Sequence, residues 1–218
     1  MREFDTIYLS WRQGQGSRRY IVGVIKEAAE KKYAFRYVKE EVEKAIAAGF
    51  SPYTEFPDVH QEYHSNVVDI FAQRLIKSVR PDIQSFYEFW EVDRDKLEDK
   101  FYLLGHTQGL MPTDNFEFLA DYKPVTGLHF LTDLAGLSQV PIKPEEVSQG
   151  DKLSFELEPD NEYDKEAVFV KKGEKKLGYI KKIHCKIFHK PDAEKLQLEV
   201  KALEKNGVVK RIFVKVFM

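Results

Sequence analysis

Asn206 and Gly207 stand between two runs, 196–204 and 208–217, in which apolar residues recur among charged ones. Both residues accept the positive φ that a two-residue hairpin turn demands. Strands joined by such a turn lie antiparallel, and their alternation gives them one shared apolar face. Further strand-like runs precede this hairpin at 127–131, 152–157, 167–171 and 176–180. Five or six short strands within about 90 residues predict a small barrel of SH3-like or OB-like type. Residues 181–190 read as a short helix at one end of it.

The earlier part of the chain has a different texture. Runs at 6–11 and 20–25 flank Gln13, Gly14, Gln15, Gly16 and Ser17, which read as a hairpin turn, and 32–38 alternates as a third strand. A helix is expected over 40–48, with Glu40 and Glu41 in its first turn and Gly49 as its C-terminal cap. Ser65 is placed to cap a second helix, whose apolar residues Val67, Val68, Phe71, Leu75 and Ile76 share a face. Pro81 suits the first turn of a helix over 82–91. Residues 93–104, with Leu97, Phe101 and Leu104 aligned, form another. The Gly- and Pro-containing stretch from Gly105 to Pro124 is the natural junction. The fold class expected is α+β: an N-terminal α+β domain over 1–112 and a small β-barrel domain over 113–218.

With 43% apolar residues, 16 Phe and 11 Tyr, the chain has ample material for packed cores. Its net charge of -2 does not advertise nucleic acid, so any such role needs a local patch. Charge is uneven: residues 150–218 carry 16 basic and 12 acidic groups, and the remainder is net acidic by six. Cys185, the single cysteine, excludes an intramolecular disulfide and a four-cysteine zinc site. The first residues contain early acids and no apolar leader, and no apolar run approaches the roughly 18 residues that cross a bilayer. The expectation is a soluble cytoplasmic protein.

Several motifs invite chemistry and have plainer readings. Gly14 and Gly16 resemble the start of a phosphate loop but lack the following Gly-Lys-Ser/Thr and a parallel βαβ unit, so the hairpin reading wins. His60 and His64 have zinc spacing if helical, yet Gln61 stands where a zincin has Glu, and no third ligand is evident. Cys185 has His184 beside it, but neighbouring helix residues point apart and nothing orients the pair. No Ser-His-Asp or paired-carboxylate arrangement stands out. The expectation is therefore a protein with no catalytic residues, no cofactor and no metal.

The segment after 152–157 is richer. A loop carrying Asp160, Asn161, Tyr163 and Asp164 offers acceptors, an amide and an aromatic ring within a few residues. Its plain reading is a turn in which Asp and Asn satisfy their own backbone. Residues 171–190 then hold eight lysines against one acid, Glu174. Such a run is usually a solvated face. Its alternative is phosphate contact, with Tyr179 and Phe188 as stacking rings.

This segment resembles the HIRAN domain, a small β-barrel of some replication-fork remodellers and of standalone bacterial proteins. The resemblance rests on Glu158, Pro159, Asp160, Asn161, Glu162, Tyr163 and Asp164, on the strand Ala167, Val168, Phe169 and Val170, and on Leu177, Gly178, Tyr179 and Ile180. It implies single-stranded DNA as partner and capture of a free 3′ end. Asp160, Asn161, Tyr163 and Asp164 would surround the terminal nucleotide, and a carboxylate there would accept from the 3′-hydroxyl. Tyr179, Lys181, Lys182 and Lys186 would lie along the strand. DNA repair or phage defence is the setting this suggests. One departure bears on end capture more than on the fold. Where the family often carries Gly-Leu-Arg-Tyr, this chain has Asp133, Leu134, Ala135 and Gly136, with His129 and Phe130 earlier on the same strand as candidate substitutes.

The first half is more faintly similar to the N-terminal subdomain of HipA-type toxin kinases, through Val22, Gly23 and Val24, Phe35 to Tyr37, Phe56 and Pro57, and Phe71, Arg74 and Leu75. That likeness implies an alternative role, an antitoxin-like regulator that binds a HipA-type serine/threonine kinase.

Overall fold

The computed structural model describes residues 2–14, 16–29, 32–77, 79–137 and 142–218. Contacts divide the chain into Phe4–Asp121 and a second unit, Tyr122–Met218 with the residues before Phe4. Both mix strands with helical segments, as an α+β chain should.

In the first unit β1 (Thr6–Arg12), β2 (Arg19–Ala29), β3 (Lys32–Tyr37), the two-residue β4 (Glu62–Tyr63) and β5 (Phe116–Ala120) form an antiparallel sheet of order β4-β3-β2-β1-β5. The β1–β2 connection turns back on itself, with Ser17 N–H donating to Gly14 C=O at 3.1 Å, so the hairpin reading holds; Gln15 lies outside the described residues. Helix α1 (Lys39–Ala47) packs on β2, and α2 (Val67–Phe71), α3 (Ile83–Trp90) and α4 (Lys100–His106) follow. Pairing of β5 with β1 places residues 116–120 with the first unit's sheet.

Two expected helices are shorter than their apolar spacing suggests. The one beginning near Ser65 starts after Asn66, whose left-handed backbone caps it without a side-chain bond, and leaves α-geometry at Ala72. Its end coincides with an anchor. Arg74 donates to both carboxylate oxygens of Asp114 at 2.7 Å and to Gly109 C=O at 3.1 Å, with its guanidinium near the Phe116 and Phe118 rings. A planar five-donor group needs many partners when buried. The helix expected over 93–104 breaks at Asp99, whose carboxylate caps α4 by accepting from Tyr102 N–H at 3.0 Å. Phe35, Phe56, Phe71 and Phe118 form the aromatic centre, with centroids 5.0–5.2 Å apart.

In the second unit β6 (His129–Asp133), β7 (Lys152–Leu157), β8 (Val168–Lys172), β9 (Lys175–Tyr179), β10 (Gln197–Asn206) and β11 (Val208–Phe217) form a sheet of order β6-β11-β10-β7-β8-β9. β10 and β11 pair across the expected turn, but only Gly207 has positive φ, +71, while Asn206 stays on β10 opposite Val208. The sheet curls until its outer strands meet. Ala135, just beyond β6, and Tyr179, at the end of β9, exchange backbone hydrogen bonds at 2.8 and 2.9 Å. A Cβ on Gly178 would lie 2.6 Å from Ala135 C=O, so only glycine allows this approach. The segment 184–189 is a 3-10 turn whose Phe188 packs on Phe155 at 4.8 Å inside the barrel.

Asp133 clasps the same seam. It accepts from Arg211 Nε of β11 at 3.0 Å and forms an ion pair with Lys181, just past β9. Burial pushes its carboxyl up, but the charges of Lys181 and Arg211 overcome that and hold it well below the usual carboxylate range. Lys181→Met strips Asp133 of a buried partner and is expected to cost about 3–5 kcal/mol in denaturant unfolding. Because the folded carboxyl is depressed, its contribution is present above the ordinary carboxylate range and lost as pH falls through the folded value. Asp133→Asn should therefore flatten the acid limb of the stability–pH profile.

Candidate functional site

Strand β7 ends at Leu157 and releases a loop that returns into β8. Asn161 organises it. Its Oδ1 accepts from the N–H groups of Tyr163 at 2.9 Å and Asp164 at 3.1 Å, and its Nδ2 donates to Glu158 Oε2 at 3.0 Å. Asp164 Oδ1 in turn accepts from Glu166 N–H at 3.0 Å. The self-satisfied turn anticipated from composition is thus present, and it leaves a definite outward surface. Tyr163 is 95% exposed on a backbone its neighbour fixes, and Asp160 is exposed beside it.

Tyr179 is half-buried. Its hydroxyl donates to Glu158 Oε2 at 2.9 Å, and its ring approaches the backbone of Gly136, where a Cβ would stand 3.3 Å from it. Gly136 has φ +76, a conformation that favours glycine. The Tyr179 ring lies against this glycine, and any side chain there would crowd it. Glu158 also faces Lys176 at 3.6 Å, and the Asn161 amide, ahead of Tyr179 and Lys176, lowers its carboxyl pKa. Sequence reasoning missed both Glu158 and Lys176 as site residues. The only available signal was that Glu158 opens the segment on which the HIRAN resemblance rests.

The lysine run is mostly not a free cationic face. Lys171 pairs with Glu156, Lys172 with Asp151 at 2.6 Å, Lys175 with Glu146, and Lys176 with Glu158. Lys190 donates to Tyr122 C=O at 2.6 Å. Lys181, expected on the DNA, is 3% exposed and faces inward to Asp133. Phe188, expected as a stacking ring, is buried, as is Phe130, which stacks on Tyr122 at 3.9 Å. Neither apolar ring reaches a surface because each fills the barrel interior. His129 bonds Gly127 C=O at 3.2 Å.

Lys182 is exposed and Lys186 half-buried. Both stand near the loop. Burial pushes the Cys185 thiol up to about 12, and Asp164 and Glu166 add to that while Lys186 and Lys182 oppose it. His189 reaches the same loop through Nε2 at 2.9 Å from Glu166 C=O. The loop and the 3-10 turn are thus joined at His189. A thiol so protonated is no nucleophile. His60 and His64 lie on a turn and beside β4, not on a helix, so zinc spacing is absent; no metal-binding cluster occurs among the described residues. No helix there is long and apolar enough to cross a membrane.

The HIRAN domain model matches residues 125–199. The crystal structure of the HIRAN domain of human HLTF is 17% identical, covering 41% of this chain and 74% of that one with a TM-score of 0.33. No curated protein matches the chain. The HipA-type reading of the first half receives no support from these comparisons.

Asn161→Ala removes at once the side-chain acceptor of two backbone N–H groups and the donor to Glu158. The loss expected is about 1–3 kcal/mol, read as faster hydrogen exchange at the amides of Tyr163 and Asp164.

Proposed function

We propose that the HIRAN-type barrel of this chain binds single-stranded DNA and receives a free 3′ end at the loop of Asp160, Asn161, Tyr163 and Asp164. The family match supports a DNA-binding role. The observation that carries the finer reading is Tyr163, a ring held out in solvent on a fixed backbone. An exposed aromatic on an ordered loop is a stacking platform for a base, since every base offers a π-face. In this reading Asp160 and Asp164 accept from the terminal hydroxyl, and their charge repels a continuing phosphate. In the same reading exposed Lys182, with Lys186 next along the chain, meets the phosphates of the strand. The role is one of recognition, with no bond made or broken. Repair and phage defence are settings in which free 3′ ends arise.

Fluorescence anisotropy with matched oligonucleotides ending in 3′-hydroxyl or 3′-phosphate tests this reading. Binding should favour the hydroxyl, and Tyr163→Ala should lose about 1–3 kcal/mol. Equal, negligible affinity for both ends at low salt would reject the proposal. The salt dependence is a separate check. Eight lysines on phosphates would give a log–log slope of about -6, whereas two give about -1 to -2. The shallow slope is expected.

A further inference from the structure

We infer that Glu158 is the positioning residue of this site, tying the end-reading loop to Tyr179 on β9 through a single carboxylate oxygen. The inference rests on the DNA-end reading above and adds to it a residue that touches no nucleotide. Oε2 of Glu158 accepts from Asn161 Nδ2 at 3.0 Å and from the Tyr179 hydroxyl at 2.9 Å. Asn161 passes the constraint on, because its other side-chain atom accepts from the backbone of Tyr163 and Asp164. A continuous chain of hydrogen bonds thus runs from the Tyr179 ring to the backbone that carries the exposed Tyr163 side chain. Residues 158 and 179 are distant in sequence, and they belong to strand ends that the sheet places apart by β8.

The chemistry of the carboxylate suits this task. It is acceptor-only, so both neighbours must donate, which fixes the amide orientation of Asn161 and the hydroxyl rotor of Tyr179. Lys176, 3.6 Å from Oε1, favours the charged form. The Tyr179 ring is bounded on one side by Gly136, so tethering its hydroxyl leaves it little freedom to tilt. A ring and a loop set in advance lose less entropy when a nucleotide arrives. Glutamine at 158 keeps the length but brings an amide donor toward Lys176, and alanine removes the tie altogether.

The test combines Glu158→Ala with Tyr179→Phe, which removes only the hydroxyl, their double variant, and Glu158→Gln, which removes only the charge. Each is titrated against a 3′-hydroxyl oligonucleotide, with melting recorded alongside. Glu158→Ala and Tyr179→Phe should each weaken binding about tenfold, the worth of one net hydrogen bond. The double variant should be no weaker than Glu158→Ala alone, because the alanine has already broken the link to Tyr179. A second readout needs no DNA. Burial first, and then the bond to and charge of Glu158, raise the Tyr179 phenol. NMR titration should find it ionising at lower pH in Glu158→Gln. Wild-type affinity in Glu158→Ala and Tyr179→Phe, whatever their melting, would overturn the positioning role while leaving DNA binding in place. An unchanged Tyr179 titration would overturn the tie itself. Wild-type protein that binds no oligonucleotide would remove the DNA-end reading and this role with it.

Discussion

A buried carboxylate between two cations holds the second unit closed. A six-stranded antiparallel sheet has two edges, and exposed edges invite pairing with other chains. Here the outer strands are drawn together by Asp133, Lys181 and Arg211, and by the backbone exchange between Ala135 and Tyr179. The ion cluster is a specific requirement as much as a source of stability. Buried charges lose much of their hydration, and only the full set of partners repays that loss. The loop of Asn161 and the ring of Tyr179 depend on it because Tyr179 lies within the seam.

The same pairing logic decides what the lysine run can do. Residues 171–176 sit on β8, β9 and the turn between them, opposite acids at 146, 151, 156 and 158 that are remote in sequence. Only Glu156 lies on a strand, and the other acids reach the lysines from flanking loops; such surface pairs contribute modestly to stability. They also remove most of the field that the sequence alone suggests. What remains for a polyanion is a small cationic rim next to an acidic loop. Recognition built on such a surface leans on shape, stacking and hydrogen bonding more than on bulk charge.

Much of the barrel was legible. The strands of the C-terminal half fall close to their sequence positions because alternation and the Asn206-Gly207 turn are local signals. The loop motif also fell on a real, ordered loop. What escaped was non-local. Phe188 has the composition of a stacking ring, and Lys181 sits in a basic run, yet each is committed inward by partners distant in sequence: Phe188 by Phe155, Lys181 by Asp133. Periodicity overextended the helix after Ser65 for a related reason, since Arg74 finds its partner at Asp114. Strand β5 went unseen because its neighbours Gly105 to Pro112 read as a linker; its pairing with β1 is long-range.

The chain's single thiol lies in the wall behind the loop, protonated throughout the range in which proteins are handled. Alkylating reagents and peroxide act on thiolates, so Cys185 is a silent bystander to both. A cysteine introduced elsewhere on the barrel surface would then be the only group to take a maleimide dye or spin label. The protein comes ready-made for distance measurements, with no need to delete its native cysteine first.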